Sequence, residues 1–219
     1  MFVTRRMQRN VSTIAPSASL EEARRLMREK SVRQLPVNDE DGKLVGMVSD
    51  RDIREAMLPV GLLPGSSEKE MEKILADTPV EKVMTRKVVA AMVNDSLEDA
   101  IVLLHDFRVN ALPVLDDKGR VAGIITRTDV LKAFIEALGV GEISSRLEVV
   151  VPDVPGSLAE VMTIIKSFHV NVTSILTTGH PEPGTLAVFF RIATLHVGPV
   201  RKAIQEAGYR ILNPADFRE

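Results

Sequence analysis

Residues 7–53 and 84–130 of this chain align without a gap at a spacing of 77, and sixteen of the 47 paired positions are identical. They include Ser19/Ser96, Leu20/Leu97, Glu21/Glu98, Ala23/Ala100, Gly42/Gly119, Gly46/Gly123, Asp52/Asp129 and the triplets Leu35-Pro36-Val37 and Leu112-Pro113-Val114. This duplication limits the fold more than any other feature. A unit of about fifty residues buries too little surface to be stable alone, so the two copies are expected to pack on each other through their sheets.

Each copy can be read locally. Ser19 with Glu22, and Ser96 with Asp99, have capping-box spacing and open a helix. Leu20, Ala23 and Met27 mark the buried stripe of the first helix; Leu97, Ala100, Ile101 and Leu104 mark the second. Leu-Pro-Val begins a short strand, where proline is tolerated at an entry or edge. Asp39-Glu40-Asp41-Gly42 and Asp116-Asp117-Lys118-Gly119 are turns whose glycine can take positive φ. Leu44–Val48 and Val121–Ile125 are the returning strands, and 50–57 and 127–138 the closing helices. The expected unit is β-α-β-β-α. Between the copies, 58–65 is rich in Pro and Gly and reads as a loop, after which Ser67 caps a short helix carrying Met71, Ile74 and Leu75.

A different pattern begins after Gly139-Val140-Gly141. Strands are expected at Leu147–Val151, Asn171–Thr177, Leu186–Ile192 and Tyr209–Leu212, with helices at Ser157–Phe168 and Val200–Ala207. That order, β-α-β-β-α-β, predicts a ferredoxin-like sandwich with both helices on one face of an antiparallel sheet. The fold class is therefore α+β, with three segments: a duplicated module at 1–138, a hinge at 139–145 and a second domain at 146–219.

Composition narrows the function classes. A net charge of −2 offers no field to hold a polyanion, and one Tyr with no Trp leaves little for base stacking, so nucleic acid is not an expected partner. No stretch approaches the length of about 20 apolar residues that crosses a membrane. With no cysteine there is no disulfide, thiolate metal site or cysteine nucleophile, and a cytoplasmic location is expected. His105, His169, His180 and His196 lie singly in different elements without metal-ligand spacing, and neither a phosphate loop nor a nucleophile elbow is present. No catalytic residue, metal site or bound cofactor is expected.

The repeated tetrads Ser49-x-x-Asp52 and Thr126-x-x-Asp129 sit where a strand hands over to a helix. Backbone N–H groups point outward there and the helix dipole favours an anion. A carboxylate three residues beyond a hydroxyl can accept hydrogen bonds from a ribose diol. Arg51 and Arg127, in the same first turn, could meet phosphates. The same spacing also suits a plain helix cap, and one tetrad alone would not decide between the two.

Both units resemble CBS motifs (cystathionine-β-synthase-type repeats), through SLEEA, VRQLPV and GMVSDRDI in the first copy and SLEDA, VNALPV and GIITRTDV in the second. The resemblance implies a paired module with clefts for adenosyl compounds such as AMP, ADP, ATP or S-adenosylmethionine. In such a cleft Ser49, Asp52, Thr126 and Asp129 would take the ribose, with Val32, Arg33, Val109 and Asn110 bordering the adenosine. Asp50 adds a negative charge to the first tetrad, which makes the pocket of Thr126 and Asp129 the expected tight site.

Residues 146–213 resemble an ACT domain, carried by Asp153-Val154-Pro155-Gly156-Ser157-Leu158 and Val170-Asn171-Val172. Gly156 would let the backbone approach a ligand carboxylate at the helix start, beside Asp153, Ser157 and Leu158, and Asn171 could hold that ligand from the next strand. The alternative is that these residues start a helix and end a turn and do nothing more. The CBS–CBS–ACT order is similar to AcuB-type acetoin-utilisation regulatory proteins. It implies a non-catalytic homodimeric sensor acting on a partner protein in acetoin or acetate metabolism, the alternative being an interaction dimer with vestigial pockets.

Overall fold

A computed structural model describes residues 1–61 and 68–213. The chain divides into two compact units, Met1–Leu131 and Lys132–Glu219. The first holds both copies of the repeat. Its elements are α1 (Leu20–Glu29), β1 (Gln34–Asn38), β2 (Leu44–Ser49), α2 (Asp50–Gly61), α3 (Glu68–Asp77), β3 (Ala91–Met92), α4 (Leu97–Asp106), β4 (Ala111–Leu115), β5 (Val121–Thr126) and the start of α5 (Arg127–Ala137).

The two helix starts are closed as their spacing predicts. Ser19 Oγ accepts from the Glu22 amide while Glu22 accepts from the Ser19 amide, and Ser96 with Asp99 repeats the arrangement. Leu20, Ala23 and Met27 are buried, as are Leu97, Ala100 and Leu104. The hairpins β1–β2 and β4–β5 are antiparallel and carry the same irregularity, at Val37/Asn38 and at Val114/Leu115. Gly42 and Gly119 turn them with φ of 78° and 75°.

Two local expectations change. The opening strand exists as β3, parallel to β4, in the second copy, but in the first copy it shrinks to one parallel bridge between Ile14 and Val37. The helix α2 continues to Gly61 where a loop was expected from residue 58; a proline inside a helix removes one backbone donor but need not end it. The cap expected from Ser67 lies outside the described residues, although α3 forms and buries Leu75 against the first copy.

The copies are locked by exchanging their opening segments. Gln8 donates to the Ile124 carbonyl at 2.8 Å and accepts from its amide at 2.9 Å, so the first residues of the first copy pair with β5 of the second. Thr85 pairs in the same way with Met47 of β2, at 2.9 and 3.0 Å. This explains two of the repeated identities. A Cβ on Gly123 would stand 2.5 Å from Met7 Sδ, and one on Gly46 would stand 2.5 Å from Met84 Sδ. Glycine is required at both places because the methionine of the other copy lies there.

The second unit contains β6 (Ser145–Pro152), α6 (Ser157–Ser167), β7 (Val172–Gly179), β8 (Thr185–Ile192), α7 (Gly198–Glu206) and β9 (Arg210–Ile211). The sheet is antiparallel in the order β7-β8-β6-β9. Alternation along the strands puts Leu147, Val149 and Val151 beside Val188, Phe190 and Ile192, and the helices bury Val161, Ile165, Val200 and Ile204 against them. This is the expected ferredoxin-like arrangement.

Candidate functional site

The two tetrads fold alike. Thr126 ends β5, and its hydroxyl donates to Asp129 Oδ2 at 2.6 Å while its amide donates to the same oxygen at 2.9 Å. The Asp129 amide returns a bond to the Thr126 hydroxyl at 3.2 Å. In the first copy the Ser49 hydroxyl and amide reach Asp52 Oδ2 at 2.6 and 2.7 Å, and the Asp52 amide returns at 3.3 Å. Each tetrad is thus a reciprocal helix cap, and one oxygen of each carboxylate is committed to it.

The other oxygen separates the copies. Gln8 Nε2 lies 3.2 Å from both Oδ1 and Oδ2 of Asp129, which is 9% exposed. The position corresponding to Gln8 is Thr85, a shorter side chain. Oδ1 of the half-buried Asp52 accepts no bond among the described residues.

The residues expected to border a ligand are brought to these tetrads. Gln34 is in register with Ser49 and Ala111 with Thr126, which places Arg33 and Asn110 beside the two helix starts. Their carbonyls accept from the Asp50 and Arg127 amides at 3.0 and 3.1 Å. Val32 and Val109 are half-buried just before them. The arginines expected at a phosphate are turned elsewhere. Arg51 pairs with Glu55 one turn along its own helix at 2.7 Å, and that carboxylate raises the guanidinium pKa. Arg127 Nη2 donates to the Leu104 carbonyl at 3.0 Å.

A cavity of about 290 Å³ opens beside the first tetrad, between α1, the segment Val32–Arg33 and α2. It takes in Asp50, whose carboxylate is paired with Arg54 at 3.2 Å. The extra acid is therefore neutralised within its own helix. Three arginines that line this cavity, Arg24, Arg28 and Arg54, were not singled out by the sequence reading. The signal that could have found them is a comparison of the positions at which the two copies differ.

In the second unit Gly156 precedes α6 with φ of 100°, and no atom lies within 4 Å of where its Cβ would be. Ser157 is buried, while Asp153, Leu158 and Asn171 are exposed. Asp153 donates its amide to Gly184 O at 2.8 Å, and Asn171 O accepts from the Ala193 amide at 2.9 Å. A cavity of about 180 Å³ in this unit is lined instead by Leu138, Arg146, Ser174, Leu176 and residues of β8, and includes none of the five. Among the described residues no group of three or more His, Asp or Glu side chains is placed to hold a metal ion, and no helix is long and apolar enough to cross a membrane.

A family model described as the CBS domain matches residues 3–59 and again 80–136. The chain belongs to the CBS-domain family. A second model, the ACT domain, matches residues 145–208, so a CBS pair is followed by a C-terminal ACT domain. A CBS domain-containing protein of Dictyostelium discoideum is 33% identical over 138 residues, 63% of this chain and 94% of its own length. The crystal structure of CBSX2 in complex with AMP is 32% identical, with a TM-score of 0.52 over 62% of this chain and 96% of that one. A structure from Vibrio cholerae assigned to acetoin utilization (AcuB) is 27% identical, with a TM-score of 0.52 over 64% of this chain and 93% of that one.

Proposed function

We propose that this chain is a non-catalytic regulatory protein that senses an adenosine-containing nucleotide through its CBS pair. AMP, ADP, ATP and S-adenosylmethionine are the candidate ligands. The observation that carries this reading is the first tetrad, on a fold shared with an AMP-bound relative. Asp52 keeps one carboxylate oxygen unbonded among the described residues, and its neighbour Asp50 lines a cavity with Val32 and Arg33 that Ser49 and Asp52 themselves do not line. The ribose would be held there by Ser49 and Asp52. The second cleft, with Val109, Asn110, Thr126 and Asp129, would bind more weakly because a sugar must first displace Gln8. This reverses the ranking expected from the sequence, because the charge of Asp50 is paired with Arg54.

Gly156, with Asp153, Ser157 and Leu158 around the start of α6, is the place for a second metabolite in the ACT domain; Asn171, bonded to Ala193 at the far end of β8 from Gly184, stands away from it. The protein would act in the cytoplasm as a homodimer on a partner protein, and the AcuB-like neighbour supports a role in acetoin or acetate metabolism. A ligand changes what such a protein shows its partner only by binding one conformation better than the other.

The test is calorimetric titration of AMP, ADP, ATP and S-adenosylmethionine into the full chain and its Asp52→Asn and Asp129→Asn variants. The amide keeps an acceptor for the cap but loses the charge. Loss of a charge-assisted ribose contact costs about 1.5–3 kcal/mol, or roughly 10- to 100-fold in affinity, and is expected at Asp52 above all. Equal binding by wild type and Asp52→Asn overturns the assignment. The reading as an interaction dimer with vestigial pockets is favoured by both carboxylates facing their own caps; it predicts no heat and no thermal shift with any of the four compounds.

A further inference from the structure

The cavity of the first repeat has a composition that neither the caps nor the adenosine reading requires. Met27, Val32, Ile53 and Met57 form its apolar lining, and Arg24, Arg28, Arg33 and Arg54 line it too, with Asp50 as the one acidic lining residue among those described. Among the described residues Arg54 alone of the four has an acidic partner, and Arg54 and Asp50 satisfy each other. Arg24 Nε is shielded from solvent and has no hydrogen-bond partner among the described residues. A buried guanidinium nitrogen left unbonded is costly in a protein interior unless something occupies the space in front of it.

The duplication supplies an internal control. At a spacing of 77 residues the positions of Arg24, Arg28, Arg33 and Arg54 are occupied by Ile101, His105, Asn110 and Leu131. The apolar lining residues are replaced in kind, by Leu104, Val109, Val130 and Phe134, so the packing of the repeat does not need arginine beside them. A solvated helix face would spread its charge outward, as Arg25 does with Glu29 at 3.8 Å on the same helix. Here four arginines line one cavity, and their counterparts in the other copy are not arginine.

We infer that this pocket binds a multiply charged phosphate chain. Guanidinium groups in a fork match phosphate oxygens in bidentate geometry, and several around one cavity favour a diphosphate or triphosphate over a singly phosphorylated or cationic compound. The chain could belong to a free polyphosphate or to a nucleotide. The consequence that the first cleft prefers ATP and ADP to AMP and S-adenosylmethionine rests on the adenosine reading; binding of the phosphate chain itself does not.

The experiment is calorimetry on the full chain with inorganic tripolyphosphate, ATP, AMP and S-adenosylmethionine, using wild type, Arg24→Gln, Arg28→Gln and Arg25→Gln. Arg28 is exposed, so its variant folds whatever happens to the half-buried Arg24; thermal melts confirm this for each protein. Tripolyphosphate is expected to bind one per chain, and each pocket variant to weaken it about tenfold or more. Arg25→Gln, which removes the same charge from the same helix, is expected to leave binding unchanged. No binding of tripolyphosphate, or equal losses in Arg25→Gln and Arg28→Gln, overturns the inference. AMP binding without tripolyphosphate binding removes the arginine pocket and leaves the adenosine reading standing. Tripolyphosphate binding to which an adenosine adds nothing does the reverse.

Discussion

Replacing Gly46 by alanine tests the interlock between the two copies directly. The added Cβ would lie 2.5 Å from Met84 Sδ, 3.0 Å from Met84 Cγ and 3.2 Å from the Thr85 carbonyl oxygen. The thioether can rotate away, since methionine adapts readily to its surroundings. The carbonyl has less freedom, because Thr85 is tied to Met47 by bonds of 2.9 and 3.0 Å. Moving it stretches the strand-like bridge that joins this segment to β2. Overpacking of this kind costs typically about 1–3 kcal/mol, and with backbone involved the expected loss is about 2 kcal/mol, several degrees in Tm. Urea and thermal unfolding of Gly46→Ala measure it. Gly179→Ala is the control, because no atom lies within 4 Å of that Cβ position and its φ is not positive. Met84→Ala, alone and combined with Gly46→Ala, completes a double-mutant cycle in which the combined loss falls short of the sum. A Gly46→Ala protein as stable as Gly179→Ala would refute the idea that glycine is kept there for the methionine.

Gln8→Thr gives the first position the residue found at Thr85 and removes the donor that spans Asp129. If Gln8 plugs the second cleft, the weaker of two nucleotide-binding events tightens by roughly tenfold, the equivalent of one charge-assisted bond; an unchanged titration shows that Gln8 is no plug. Tyr209 is the only tyrosine in a chain without tryptophan, and its hydroxyl donates to Glu160, which raises its pKa above the ordinary phenol value. A raised folded-state pKa means that this contact stabilises the protein fully below the ordinary tyrosine value and is lost as pH rises through the raised one. Phenolate absorbance is expected to appear at higher pH in the native protein than in urea, and Glu160→Gln to bring the native midpoint back down.

Much of the architecture was legible because it is written in local spacing. Ser19–Glu22 and Ser96–Asp99 form the caps their sequence predicts, and the alternation of Leu147, Val149 and Val151 set the inner face of the second sheet. What escaped was non-local. The identities Met7/Met84 and Gly46/Gly123 were visible, but nothing in one strand shows that its glycine faces a methionine from the other copy. The site was harder for the same reason. Arg51 was assigned to a phosphate, yet Glu55 one helical turn away holds it. Gln8 attracted no notice, because its importance depends on a partner 121 residues along the chain. Arg24 and Arg28 belong to no motif of their own; α2 and the segment after α1 are what close a pocket around them.

The crossing of the opening segments has an implication for what half of this molecule could do. A lone repeat would carry a methionine-bearing arm with no foreign hairpin to receive it, and a glycine notch with nothing to fill it. Two such halves could satisfy one another only by trading arms, as Met7 with Gly123 and Met84 with Gly46 do now. A single-motif forebear of this module would therefore have been a reciprocal pair from the outset, and fusing the genes would have turned an association between molecules into one within a chain.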